Sequence, residues 1–263
     1  MAEHNGPQRI VCLTEEPTEI LYSLGEEHRI VGITVYTVRP PQAKNRHPVV
    51  SAFVGGNVKK ICDLEPDLII GFSDIQADLA AKLIRANQQV LIFNQRSIDE
   101  IFEVILTIGR IVAAEEKAQH LVDGYRSEIE EAREWANEIE NKPRVYFEEW
   151  DKPTFSAIRW VSELIEIAGG VDVFSHKSYG KTAIEREVQW SEVVEMNPDI
   201  ILASWCGKQV DLESIRQRPG WDAIAAVKNN RIHEIDPSII LQPGPASLTD
   251  GLRMLRSLIV DWE

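Results

Sequence analysis

The sequence predicts an α/β protein of two lobes with mainly parallel sheets, joined by one long α-helix. Three observations predict it. Ala113 to Asn141 carries apolar residues at Ala118, Leu121, Val122, Tyr125, Ile129, Ala132, Trp135, Ala136 and Ile139. Spacings of three and four put these on one stripe of a helix. The other faces hold Glu, Lys, Gln and Arg, which are good helix formers. About 27 residues would span roughly 40 Å. Gly124 is the weak point inside the helix, and Pro143 is its stop. The second observation is a repeat on either side. ICDLEPDLIIGFSD (61–74) and VVEMNPDIILASWC (193–206) each read as a short helix ending at Pro-Asp, then an apolar strand; Pro66 and Pro198 mark the same point. Third, Arg9 to Gly25 and Arg144 to Gly170 share a plan of strand, loop and helix ending in Gly. The division is therefore an N-terminal lobe at 1–112, a bridging helix at 113–141 and a C-terminal lobe at 142–263. A helical bridge is stiffer than a Gly/Ser linker.

In chain order, Arg9 to Leu13 reads as the first strand. Thr14 is placed to cap the next helix, with Glu15 and Glu16 favourable in its first turn, and Gly25 ends it. Arg29 to Ile33 is the second strand. Thr34 to Asn57, with Pro40-Pro41 and Gly55-Gly56, reads mostly as loop. Asn57 caps a short helix to Leu64. Leu68 to Phe72 is a strand, Asp74 to Asn87 a helix and Val90 to Phe93 a strand. Ser97 and Glu100 fit a capping box that opens a helix to about Val112. After the long helix, Arg144 to Glu148 is a strand and Val161 to Ala168 a helix. Val171 to Val188 is irregular. Ser191 to Met196 is a short helix and Ile200 to Ala203 a strand. Leu212 to Gln217 and Trp221 to Val227 are helices, Arg231 to Ile235 a strand, and Ser247 to Val260 the last helix. Strands alternate with helices, hence parallel sheets.

Composition narrows the function. With 263 residues, 44% of them hydrophobic, the chain can bury proper cores. A net charge of −14 argues against nucleic acid and anionic membrane surfaces. Cys12, Cys62 and Cys206 lie far apart, and the six histidines are scattered, so no metal-ligand spacing exists. No apolar run approaches 18 residues, so no membrane insertion is expected. MAEHNGPQ has neither a basic nor an apolar signal region. The sequence as it stands implies the cytoplasm; an omitted leader would place the protein outside it. No GxSxG, P-loop or GxGxxG appears, nor a nucleophile with a partner base. Enzymatic activity and a required cofactor are not expected.

Parallel α/β sheets bind ligands beyond the carboxyl ends of their strands. That rule selects Thr14, Glu15, Glu16, Pro17, Tyr36, Arg39, Phe53, Phe72, Ser73, Asp74 and Arg96 in the first lobe. In the second it selects Glu149, Trp150, Trp205, Cys206 and the 237–244 loop with Gln242. Aromatic rings at such edges suit a large flat ligand. Glu148 and Glu149 are adjacent on a strand, so they point to opposite faces and do not form an acid/base dyad. Trp135, Trp221 and Trp262 read as core, and Trp160 and Trp190 as packing. Trp150 and Trp205 directly follow strands and are candidate ligand rings.

TEEPTEILYSLG, RIVGITVYTVRPPQA, NVKKICDLEPDLIIGF and the long helix resemble the helical-backbone substrate-binding proteins of ABC importers for cobalamin, haem and ferric siderophores. The resemblance runs from about Arg9 to Trp262. It implies two Rossmann-like α/β lobes bridged by a single helix, with the ligand in the cleft between them. In the cobalamin-binding members, aromatics flank the corrin. Phe53 and Phe72 stand at two such positions, Arg39 where a Tyr is usual, and Glu149 and Glu185 where aromatics are usual. The site is thereby shifted toward acid, which disfavours an anionic chelate and favours a corrinoid, cobalamin or cobinamide-like. Members dock a Glu from each lobe on an ABC permease; here Lys59 and Ser191 hold those positions, with Glu192 one residue off. The expectation is a monomer that binds a corrinoid without catalysis, as an importer subunit or an intracellular carrier. Alternatives are a binder of ferric siderophore, haem or metal chelate, or a corrinoid- or metal-processing enzyme using Cys206 and the Glu-rich second lobe.

Overall fold

The computed structural model describes residues 6–52 and 54–262. Phe53, one of the candidate aromatics, lies outside the described residues. The chain forms two compact units, 1–95 with 99–124 and 96–98 with 125–263.

The first unit contains β1 (Ile10–Cys12), α1 (Glu15–Ser23), β2 (Ile30–Thr34), α2 (Ala43–Arg46), β3 (Val49–Ser51), α3 (Val58–Cys62), β4 (Leu68–Phe72), α4 (Ala77–Arg85) and β5 (Val90–Phe93), then most of α5 (Ile98–Ile111). Its sheet has the order β3-β2-β1-β4-β5, and every pairing is parallel. Val11, Leu13, Val50, Ile61, Ile69, Leu79 and Leu83 form one cluster of its core. The reading of 34–57 as loop is corrected here, because α2 and β3 lie within it. A three-residue strand is too short to show a period of two; Val50 gives it one buried anchor, packed with Val11 and Ile61.

The long helix is α6, Glu115–Asn137, 23 residues or about 35 Å. The unit boundary falls inside it, between Gly124 and Tyr125. It is shorter at both ends than the 113–141 expected. At the start, Ala113 has a left-handed backbone (φ 56°), which separates α5 from α6. The two helices pack closely there, since a Cβ on Gly109 would lie 2.4 Å from that of Ala118. At the end, Glu138 N–H bonds Trp135 O in a tighter turn that closes the helix before Pro143. Ile139 leaves the helix toward Gly169, where a Cβ would lie 2.5 Å from its Cδ1. The predicted stripe holds: Ala118, Val122, Tyr125, Ile129, Ala132 and Ala136 are buried.

The second unit contains β6 (Arg144–Asp151), β7 (Thr154–Ser156), α7 (Arg159–Ile167), β8 (Val171–Asp172), α8 (Trp190–Met196), β9 (Ile200–Ala203), α9 (Leu212–Arg216), α10 (Ala225–Lys228), β10 (Ile232–Glu234) and α11 (Pro237–Ile240). The last helix opens with a π-helical turn, Ser247–Gly251, and continues as α12 (Leu252–Val260). The sheet order is β10-β9-β6-β7, with β8 also on β6. All pairs are parallel except β6 with β7, which is antiparallel. Strict alternation of strand and helix therefore fails at 144–156. β6 runs three residues past the predicted Glu148 and turns back at Lys152-Pro153. Glu149 and Trp150 thus lie within the strand and not beyond it, and the register of the pairing shifts between Glu148 and Trp150.

The sequence repeat has a physical basis. Asp67 accepts from the Gln8 and Arg9 N–H groups (2.6 and 2.9 Å), and Asp199 accepts from the Arg144 N–H (2.9 Å). Arg9 in turn donates to Leu64 O and Glu65 O, and Arg144 to Met196 O. In each unit, then, the first strand is tied to the Pro-Asp turn, and its arginine caps carbonyls at the end of the preceding short helix. No helix among the described residues is long and apolar enough to cross a membrane.

Candidate functional site

In the first unit the rim is built by the ends of β1, β2, β3 and β4. Thr14 occupies the N-cap position of α1 with extended backbone, yet its hydroxyl makes no capping bond; the expected cap is absent. Glu15, Glu16 and Pro17 are buried in the first turn. Glu16 is 2% exposed, and its Oε2 makes no hydrogen bond of ordinary geometry, like the hydroxyls of Thr14 and Thr18. Burial pushes its carboxyl up to about 7, against the partial relief of its own N–H, the Thr14 hydroxyl and the Glu15 N–H. Below it, burial raises the Cys12 thiol to about 12, so Cys12 is an inert core thiol.

Past β2 the chain exposes Val35, Tyr36 (41%) and Val38; Val54 follows β3 and Ile75 follows β4. Five apolar side chains thus stand in water past the ends of β2, β3 and β4, with β1 between β2 and β4. Only Tyr36 is selected from the sequence; the signal for Val35, Val38 and Val54 is apolar residues in a segment otherwise read as loop, and Ile75 falls at the start of the helix read at 74–87. Arg39 donates to Glu19 Oε1 (2.9 Å), so its charge is matched within the unit. Phe72 is buried at the end of β4. Ser73 has φ 60° and ψ 175°, a conformation that costs a side-chain-bearing residue about 1–3 kcal/mol. Its N–H bonds Phe93 O at 2.7 Å, and its hydroxyl accepts from Ile75 N–H. Beside it, buried Gln76 accepts from Phe72 N–H (3.0 Å) and donates to Leu13 O (3.2 Å), tying β4 to β1. No sequence pattern marked Gln76, because its role depends on two strands far apart in the chain.

In the second unit the acids are matched. Glu148 is fully buried; Arg218 donates to both its oxygens, one at 2.8 Å, and Tyr146 OH donates to Oε2 at 3.1 Å. Arg218 also lies over the rings of Trp221 (4.5 Å) and Trp190 (5.1 Å). Burial, and after it the Glu148 charge, raises the Tyr146 phenol well above its ordinary range. Glu149 pairs in the same two-pronged way with Arg186, which is 3% exposed and also donates to Ser156 O (2.8 Å). Glu148 and Glu149 therefore serve different partners, as their opposite faces require. Glu185 accepts from Thr182 N–H (2.9 Å) and caps its own turn.

The two Trp candidates separate. Trp205 is 2% exposed and belongs to the core with Tyr146, Phe174 and Trp221. Trp150 packs against that core, and its indole N–H donates to Lys152 O (3.1 Å). Lys208 covers both rings, its Nζ 4.3 Å and 4.6 Å from the two centroids. This corrects the expectation of two open ligand rings: Trp205 is buried, and Lys208 already lies over both rings. Cys206 is exposed and outside any disulfide. Gln242 is buried in the loop after α11. Arg96 is half-buried, in the segment 96–98 that groups with the second unit, where Ile98 N–H bonds Glu163 (2.8 Å). The Glu-rich surface imagined for a second-lobe enzyme is thus largely taken up by arginine pairs and a cap.

A family model described as periplasmic binding protein matches residues 10–239. The chain belongs to this family. It is 28% identical to an uncharacterized ABC transporter substrate-binding lipoprotein of Bacillus subtilis, over 96% of this chain and 80% of that one. It is 26% identical to a vitamin B12-binding protein of Vibrio cholerae, over 92% and 85%. Among solved structures, a possible iron-binding (periplasmic solute-binding) protein of Staphylococcus epidermidis superposes with a TM-score of 0.81 at 27% identity, over 96% and 98%. Of the positions the resemblance assigned to permease docking, Lys59 is exposed on α3 and paired with Asp63 (2.6 Å), and Ser191 is exposed. Glu192 is committed within the unit: it accepts from Gln189 N–H (2.6 Å) and Lys177 Nζ (3.0 Å).

Proposed function

We propose that this protein is the substrate-binding component of an ABC-type uptake system, and that its ligand is a corrinoid, held without catalysis. The observation that carries the reading is the make-up of the first unit's rim. Val35, Tyr36, Val38, Val54 and Ile75 offer exposed apolar faces, which suit a large flat ligand. A helix N-terminus ordinarily attracts anions. Here the Glu15 and Glu16 side chains occupy that end of α1, so it offers an anionic ligand group no unopposed positive end. A corrinoid, with neutral amide side chains, fits such a rim better than the propionates of haem or an anionic ferric chelate. The vitamin B12-binding relative supports the same choice. The possible iron-binding protein of Staphylococcus epidermidis favours a ferric chelate as the second reading. The lipoprotein and periplasmic character of these relatives supports a place outside the cytoplasm and an ABC permease as partner, over an intracellular carrier.

The test is a calorimetric titration with cyanocobalamin, cobinamide, haem and a ferric hydroxamate. Saturable binding of the two corrinoids, tighter than of the others, is the expected result, with corrinoid recovered unchanged. Failure of both corrinoids at high micromolar concentration sinks the reading. Binding of the hydroxamate in their place would establish the second one.

A further inference from the structure

The second unit builds a cation cage that its own chain fills. The Lys208 ammonium lies 4.3 Å from the Trp150 ring centroid and 4.6 Å from that of Trp205. It donates to Asp151 Oδ1 at 2.5 Å. Two indole faces and a carboxylate around one point make up the chemistry that recognises ammonium and alkylated ammonium groups. Each wall is held by contacts that do not involve the lysine. The Trp150 indole N–H is bonded to Lys152 O. Trp205 is packed in the core beside β9. Asp151 is fixed at the end of β6 by its pairing with Thr154.

The occupant is different in kind from the walls. Lys208 comes from an exposed run, residues 206–209, that follows β9. Gly207, one residue before it, has φ 82° and open space where a Cβ would stand. The cation is therefore an arm reaching from a surface turn into a cage made by the sheet. Holding a lysine in one geometry on a surface gains little stability, because rotamer entropy and screening offset the pairing.

We propose that Trp150, Trp205 and Asp151 form a binding site for the ammonium or alkylammonium group of a small molecule, with Lys208 as a tethered occupant that such a group displaces. The tether gives Lys208 a high effective concentration, so weak cations enter only when it swings out. The site is independent of the corrinoid reading.

Tetramethylammonium is the probe, titrated into wild type and Lys208→Ser while the Trp150 and Trp205 indole N–H resonances are followed. Lys208→Ser should show saturable shifts with an affinity about tenfold above wild type. Adding Asp151→Asn should abolish them. tert-Butanol, similar in shape and uncharged, should give no saturable shift. Equal responses of wild type and Lys208→Ser, or equal responses to tert-butanol and tetramethylammonium, would overturn the proposal. If Lys208→Ser loses its near-ultraviolet circular dichroism, Lys208→Gln takes its place, and absence of tetramethylammonium binding to that folded variant is equally decisive against the cage.

Discussion

The rims of the two units share a feature, a first strand followed by or carrying two adjacent glutamates, and they treat those acids in opposite ways. In the second unit each carboxylate has its own arginine, Glu148 with Arg218 and Glu149 with Arg186. In the first, among the described residues no ion pair reaches Glu16; the nearby Arg39 goes to Glu19. A buried acid with a guanidinium partner stays ionised. A buried acid without one holds its proton to higher pH, and Glu16 is pushed up to about 7. The aromatics differ in the same sense: Tyr36 stands in water, whereas Trp205 is core and shares its outer face with Lys208. The second rim is locked by its own contacts, and the first presents surface.

The largest effect should come from breaking a lock. Arg218→Met leaves the fully buried Glu148 with only the Tyr146 hydroxyl, and should cost about 3–5 kcal/mol in urea unfolding. Glu148→Gln in that background should recover part of the loss. A cost below about 1 kcal/mol would mean that the pair is not what holds this rim.

Glu16 comes next, and its sign is opposite to that of a paired carboxylate. Its folded pKa, about 7, lies above the ordinary 4.5. Between those values the folded chain keeps a proton that the unfolded chain has lost. Stability therefore falls as pH rises through this window, and the full cost is present above 7. Glu16→Gln should stabilise the protein by on the order of 3 kcal/mol at pH 8 and by little at pH 4. Denaturation midpoints of both proteins at the two pH values measure this. A difference that does not widen with pH would show Glu16 to be ordinary.

A ligand measurement sharpens the contrast. Tyr36→Ala should weaken corrinoid binding by about 1–3 kcal/mol and leave the unfolding midpoint unchanged. Trp205→Ala should do the reverse and lower stability first, as a truncated core aromatic does. If Trp205→Ala were stable and binding-deficient, the second rim would be the ligand face.

The smallest effect on the fold is expected at Lys59. Its exposed pair with Asp63 is worth about 0–1 kcal/mol, so Lys59→Glu with Ser191→Glu should leave stability nearly unchanged. The same double change should raise stimulation of a cobalamin permease ATPase, because positive charge against a basic socket is removed. Strong stimulation by the unmodified chain would show that another surface docks.

Much of this was legible in the chain itself. The stripe from Ala118 to Ala136, the paired Pro-Asp turns and the Asn57 cap are local patterns, and a helix period or a turn depends on neighbours a few residues away. The helix α6 and the Asn57 side chain accepting from Lys60 N–H at 2.9 Å follow from such neighbours, whereas the ties of the Pro-Asp turns to Arg9 and Arg144 join residues 58 and 55 apart and are tertiary. β3 and β7 escaped because they are three residues each and directly follow Pro48 and Pro153, in stretches that read as loop or turn.

What only the tertiary structure decided is which side chains meet. Glu148 and Arg218 are 70 residues apart, Glu149 and Arg186 are 37, and Asp151 and Lys208 are 57. No spacing rule reaches that far. From the sequence the second rim read as acidic with two open tryptophans; folding brought arginines to the acids and a lysine to the rings. The sequence determined the sheets, the helix that runs through both units and the residue types at each strand end. Whether a given acid became a counter-ion, a cap or a proton holder was fixed by desolvation and by which cation the fold delivered to it.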